Sequence, residues 1–315
     1  MKIVLLDKST LGADADLSPL RQAGSITEYE TTVPEEVADR VREAEVIVTN
    51  KIKLNESNLS GAHGLRLICV AATGYDNIDK DYCASRGIGL CNVPGYSTES
   101  VAQLTLSMAL SLVNHMEEYR TFVRDGSYTA SGVANRLSPP YRELSSLTWG
   151  VVGGGAIGGR VAMLAEAFGS HVLMCRRKAD DRYEQVSLDE LCRRSDIISL
   201  HVPLTEETRG MISRERIATM KADAILINVA RGAVTDEQAL ADAIEEGRLG
   251  AIGIDVFSAE PFPKEHPFTR IMDRPNVCLT PHMAWGAIEA RNRCISVIGE
   301  NIVSFERGDR KNRIV

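Results

Sequence analysis

LTWGVVGGGAIGGRVAMLAEAF, residues 147–168, sets the terms for the whole chain. An apolar run ending at Val152 reads as a buried strand and an Ala-rich run from Ala156 as a helix. Between them Gly153, Gly155 and Gly158 give the spacing G-x-G-x-x-G. Glycine lets the backbone turn sharply and approach a pyrophosphate, whose charge then meets the free N–H groups and the positive end of the helix. The same pattern alone also marks ordinary tight turns. Its place between strand and helix makes it a dinucleotide-binding turn, with Ala156 and Ile157 supplying backbone between the glycines.

Outward from this turn the same alternation continues in both directions. Downstream, SHVLMCRR, SDIISLHV, DAILINVA, GAIGIDVF and NVCLTPH alternate with the helical runs SLDELCRR, SRERIATM and DEQALADAIEEG. Upstream, KIVLLD, SITEYE, EVIVTN, LRLICVAATG and IGLCNV alternate with SPLRQAG and EEVADRVREA. Short, nearly continuous apolar strands joined by helices imply parallel sheets covered on both faces. At roughly 150 residues per domain, 315 residues make two α/β units with a cleft between them. Residues 100–126 read as one long helix whose first half is apolar almost all round, buried inside a domain or against a second subunit, with His115 as a core or interface histidine. Pro139 and Pro140 read as an exposed connection, and residues 286–308 as a closing helix.

Hydrophobic residues at 44% and charged residues at 25% are ordinary globular usage, which excludes wholesale disorder and fibrous repeats. A net charge of −7 without a basic run argues against nucleic acid or a membrane surface and for a small-molecule partner. The seven cysteines are scattered, with no C-x-x-C pair, so neither a disulfide framework nor a metal site is expected. Together with the short apolar run before Asp7, this points to the cytoplasm.

Three polar residues each stand just beyond a different apolar strand. Arg231 follows ILINVA, Glu260 follows GIDVF by a short loop, and His282 follows VCLTP. Ligands of open α/β sheets bind beyond the carboxyl ends of strands, so these loops can converge. Hydride delivery to a 2-keto acid needs a cation for the carboxylate and carbonyl, which Arg231 offers as a planar fork, and a proton, which His282 can give and reclaim. A carboxylate such as Glu260 would orient the ring and favour its protonated form. Singly, each residue also reads as an ordinary surface or capping group. At the end of the strand that follows the glycine turn and its helix, where an acid for the ribose 2′-hydroxyl is expected, stand Cys175, Arg176 and Arg177, and acids come only at Asp180 and Asp181. Guanidinium groups suit a 2′-phosphate, so NADP is favoured over NAD; a solvated arginine pair is the plainer alternative.

The phrases ATGYDNID, NVPGYSTESVAQ, GVVGGGAIGG, LHVPLTEETRGMI, INVARGAVTDEQAL, GIDVFSAEP and LTPHMAW, spanning residues 72–285, resemble the D-isomer-specific 2-hydroxyacid dehydrogenases. The wording TNK, ATGYDN and VPGYST is most similar to the glycerate dehydrogenases, or hydroxypyruvate reductases, of that family. The resemblance implies a Rossmann domain, residues 97–285, inserted in a flavodoxin-like substrate domain of residues 1–96 and 286–315. It carries the catalytic roles onto Arg231, Glu260 and His282, and a carboxylate cradle onto the backbone of Thr73 and Gly74. Lys51 and Trp285 match pocket-edge positions, though a solvated lysine and a structural tryptophan remain open. Cofactor contacts are implied at Ser97 to Val101, His201, Val202, Pro203, Thr208, Val229, Ala230 and Asp255, with Asp255 near the nicotinamide carboxamide and His201 as pocket scaffolding.

The implied activity is hydride transfer between NAD(P)H and a small 2-keto acid, hydroxypyruvate or glyoxylate; the apolar helix over 100–126 adds the expectation of a homodimer. Glu260 favours this chemistry over formate oxidation, whose enzymes in this family carry an amide there. A bulkier 2-keto acid is an alternative, as is a dinucleotide-sensing, corepressor-like binding protein.

Overall fold

The computed structural model describes residues 1–177 and 182–315. The chain divides into two compact units, residues 1–97 with 285–315 and residues 98–284.

In the first unit β1 (Lys2–Leu5), β2 (Ser25–Glu28), β3 (Val46–Thr49), β4 (Leu67–Val70) and β5 (Gly89–Cys91) form an all-parallel sheet in the order β2-β1-β3-β4-β5. This is the flavodoxin-like order. Successive residues of a strand face opposite sides, so one apolar run must supply two cores. Ile3 and Leu5 pack with Val46, Val48 and Leu67 under helix Ile288–Glu306, which contributes Ala290, Cys294, Ile295 and Ile298. Val4 and Leu6 pack on the other side with Ile47, Ile68, Val37, Val41 and Leu59.

The second unit carries β6 (Thr148–Val152), β7 (His171–Cys175), β8 (Glu184–Gln185), β9 (Ile197–Leu200), β10 (Ile225–Asn228), β11 (Ala251–Ile254) and β12 (Val277–Leu279). These are parallel in the order β12-β11-β10-β9-β6-β7-β8, a Rossmann arrangement with one added strand. The order reverses between β6 and β9, and loops leaving these two neighbours diverge to opposite sides. That switch point is where open α/β sheets bind ligands. β9, β10 and β11 are buried throughout, as continuous apolar runs covered on both faces must be.

The stretch expected to be one helix over 100–126 is two, Thr98–Val113 and Met116–Arg124. The first buries Val101, Ala102, Met108, Ala109 and Leu112 and packs on helix Ala156–Ala167 and strands β10 and β11. His115 breaks the run with a left-handed φ of 48° and is partly exposed, so it is not a core histidine. The apolar face gives out at Asn114, and the following turn, Met116-Glu117-Glu118, no longer belongs to the same buried stripe. All seven cysteines are free, and five are buried.

Candidate active site

The glycine turn opens at the end of β6. Gly153 donates its N–H to Cys175 O at 2.8 Å and adopts φ 99°, a conformation open to glycine. A Cβ there would stand 2.5 Å from His201 O, and one at Gly158 would collide with Gly153 O, so turn, helix and β9 loop approach as backbone against backbone. Gly155 precedes helix Ala156–Ala167 and faces open space, which leaves the first N–H groups of the helix for an anion.

Next to this turn, His201 donates its backbone N–H to Val152 O at 2.7 Å. Both its ring nitrogens are buried without a hydrogen-bond partner among the described residues. Burial alone pushes the imidazole down to about 3, so it is neutral at ordinary pH. An orphaned buried donor and acceptor beside a glycine cradle fits a polar ligand such as a dinucleotide. Arg176 folds across Gly154, where a Cβ would collide with its side chain, and Arg177 is exposed. Asp180 and Asp181 lie outside the described residues. Val202 packs against Gly153, and Thr208 ties its loop to the Pro203 carbonyl at 2.6 Å.

The Arg231 loop is shaped by Asn228 at the end of β10. This fully buried amide accepts the Ala230 N–H at 3.0 Å and donates to Arg231 O at 2.9 Å, which bends the chain through Val229 and Ala230. Arg231 is half-buried, with Nη1 on Ala230 O at 2.7 Å.

Glu260 and His282 come together. Glu260 Oε1 accepts the Phe257 N–H at 3.1 Å, and Oε2 lies 2.6 Å from His282 Nδ1. A carboxylate only accepts, so Nδ1 carries the hydrogen that faces Glu260. The ring sits on a strained turn, with His282 itself at φ 51°. Asp255, fully buried at the end of β11, holds that turn: Oδ1 accepts from Met283 N at 2.8 Å and Thr280 Oγ1 at 2.6 Å, and Oδ2 from Ala284 N at 2.9 Å. Neither Asn228 nor the turn-holding part played by Asp255 was read from the sequence. Only a polar residue at the end of an otherwise apolar strand could have signalled them.

The remaining candidates lie in the other unit. Thr73 Oγ1 donates to Val93 O at 2.9 Å and Thr73 O accepts from Asn92 Nδ2 at 2.7 Å, fixing the turn that contains Gly74. The Lys51 N–H goes to Asp7 Oδ2 at 2.7 Å, and Trp285 meets Tyr96 edge-on with centroids 6.3 Å apart. Burial raises the Asp7 carboxyl above its ordinary range, against the hydrogen bonds from the 49–52 segment.

Residues 106–284 match the family model described as D-isomer specific 2-hydroxyacid dehydrogenase, NAD binding domain. The chain is 36% identical over 315 residues to a glycerate dehydrogenase of Methylorubrum extorquens, covering 99% of this chain and 98% of that one. It is 33% identical over 321 residues to a hydroxypyruvate reductase of Blautia hydrogenotrophica, covering 99% of each. Among solved structures, D-lactate dehydrogenase from Aquifex aeolicus, complexed with NAD and lactic acid, superposes with a TM-score of 0.88 at 33% identity, covering 100% of this chain and 99% of that one.

Proposed function

Since the chain belongs to the D-isomer-specific 2-hydroxyacid dehydrogenase family, and is thus an oxidoreductase of CH–OH groups that takes a nicotinamide dinucleotide, we propose that it reduces hydroxypyruvate or glyoxylate to D-glycerate or glycolate. The observation that carries this reading is the 2.6 Å contact between Glu260 and His282, which orients the ring so that the protonated imidazole can donate from Nε2. When bound, the dinucleotide supplies the hydride. Arg231 pairs with the substrate carboxylate and polarises its carbonyl. His282 Nε2 hydrogen-bonds to the carbonyl oxygen and passes its proton there as the alkoxide develops, while Glu260 holds Nδ1–H and stabilises the ring's charge.

Residues Gly153, Gly155 and Gly158 with Ala156 and Ile157 cradle the pyrophosphate, and His201 offers its neutral ring to the same ligand. In the first unit the backbone of Thr73 and Gly74 binds the carboxylate, with Lys51 and Trp285 at the pocket edge. NADP is the preferred cofactor: the second Rossmann strand ends in two arginines without an acid, and Arg176 lies over the glycine turn.

The protein acts as a homodimer in the cytoplasm. Support comes from Met116, Val123, Val133, Leu137 and Tyr141, large apolar residues exposed within one short segment, and from cysteines that are all free. Among the described residues no helix is long and apolar enough to cross a membrane.

A spectrophotometric matrix of NADH and NADPH against hydroxypyruvate, glyoxylate, pyruvate and phenylpyruvate tests the reading. Highest kcat/KM with NADPH and hydroxypyruvate or glyoxylate is expected; preference for phenylpyruvate would overturn the substrate, and no oxidation with any acid would overturn the activity. Light scattering should give twice the mass of 34.4 kDa.

A further inference from the structure

Glu237, in the first turn of helix Glu237–Glu245, is a buried carboxylate that the chemistry above leaves unused. A buried carboxylate must have its oxygens paired, and this one spends them on the loop that carries Glu260. Oε1 accepts the Ser258 N–H at 2.8 Å; Oε2 accepts the Ser258 hydroxyl and lies 3.1 Å from His266 Nε2. The tautomer of His266 follows from its other nitrogen. Nδ1 accepts the Phe268 N–H at 3.2 Å, so Nε2 bears the hydrogen and donates it to Glu237. Phe257, Phe262 and Phe268 pack around this imidazole with ring centroids 6.0, 4.9 and 5.0 Å away, which holds it in that orientation.

Two successive backbone donors are thereby divided between two carboxylates. The Ser258 N–H ties the turn to Glu237, and the Phe257 N–H goes to Glu260 Oε1 at 3.1 Å, turning Oε2 toward His282. The Arg231 loop bears on the same turn. A Cβ at Gly232 would collide with the Phe257 carbonyl carbon and the Ser258 nitrogen, so no side chain separates them.

We propose that Glu237 is a positioning residue for proton transfer: clamped by His266, it anchors the Phe257–Ser258 turn and so sets the direction from which Glu260 meets His282. This rests on the reading of Glu260 and His282 as the acid pair. Glu237 touches neither substrate nor reacting atoms and acts only through Glu260.

The test is a double-mutant cycle between Glu237→Gln and Glu260→Gln, read as kcat with NADPH or NADH and hydroxypyruvate, beside the cofactor dissociation constant. Glu237→Gln is expected to lower kcat about tenfold with cofactor affinity unchanged, because sub-ångström misplacement of an acid pair is costly. In the Glu260→Gln background the same substitution should cost nothing more. An unaltered kcat, or losses that multiply in the double variant, would overturn the proposal. Should Glu237→Gln fail to fold, Ser258→Ala and His266→Asn carry the same comparison. The asparagine still caps the Phe268 N–H but is too short for Glu237. Each should lower kcat about threefold, as expected for one lost hydrogen bond, and only where Glu260 is present. A Glu260→Gln enzyme as active as the parent would instead overturn the acid-pair reading itself, without any substitution at Glu237.

Discussion

Nδ1 of His282 stands 2.6 Å from Oε2 of Glu260, and the other oxygen of the same carboxylate is held by the Phe257 N–H at 3.1 Å. The imidazole is thus oriented through one nitrogen by a group that is itself oriented, which in the proposed reaction reserves the second nitrogen for proton transfer. General acid–base work requires this separation of tasks, since a ring free to rotate would present either nitrogen.

Replacing His282 with Gln should lower kcat by about 10²- to 10⁴-fold, the usual worth of a positioned acid. Cofactor affinity, followed by NADH fluorescence, should stay within about twofold, because none of the dinucleotide contacts is removed. Full activity in this variant would refute the assigned donor.

Arg231→Lys keeps the charge but loses the planar fork. KM for hydroxypyruvate should rise and kcat fall together, with kcat/KM down at least about tenfold, or about 1.4 kcal/mol of transition-state binding. Steady-state kinetics that show only a KM effect would mean the guanidinium binds the substrate without helping the carbonyl.

Asp255→Ala removes the acceptor for Met283 N, Ala284 N and Thr280 Oγ1. Leaving buried donors unpaired should cost about 1–3 kcal/mol in urea unfolding. The loosened turn should also lower kcat, and Asp255→Asn, which keeps one acceptor oxygen, should fall between. An alanine variant with parental stability and kcat would show that the turn holds itself.

Titration of His201 gives stability an acid limb. Its folded value of about 3 lies below the ordinary imidazole value of 6.5, so the unfolded chain binds the extra proton between those pH values. The contribution is whole above pH 6.5 and is lost as pH falls toward 3, by at most on the order of 5 kcal/mol. Denaturant midpoints measured across this range should slope less steeply for His201→Asn than for the parent; identical slopes would mean the ring is solvated.

Arg176→Asp should shift the NADPH-to-NADH ratio of kcat/KM toward NADH by at least about tenfold, because a carboxylate repels a 2′-phosphate and accepts from a 2′-hydroxyl. An unchanged ratio would place cofactor choice elsewhere.

Periodicity over four to twelve residues is a local property, which is why the glycine turn, the parallel α/β class and every described strand but the two-residue β8 were legible in the chain, β8 being too short to show a period. Arg231, Glu260 and His282 stood out only together: singly each reads as a surface or capping group, and it is their shared position just beyond successive strands that drew attention. The break at His115 was hidden, since apolar patterning there fades gradually. What tertiary structure alone decided is how the loops are held. Asp255 reaches the 280–284 turn, and Glu237 joins Ser258 and His266, across 21 to 29 residues of chain. Such pairings follow no helical or strand period, because they depend on which strand ends the sheet order makes neighbours. That the His201 nitrogens are buried without a hydrogen-bond partner among the described residues is likewise a fact of packing, created by groups that no sequence spacing brings together.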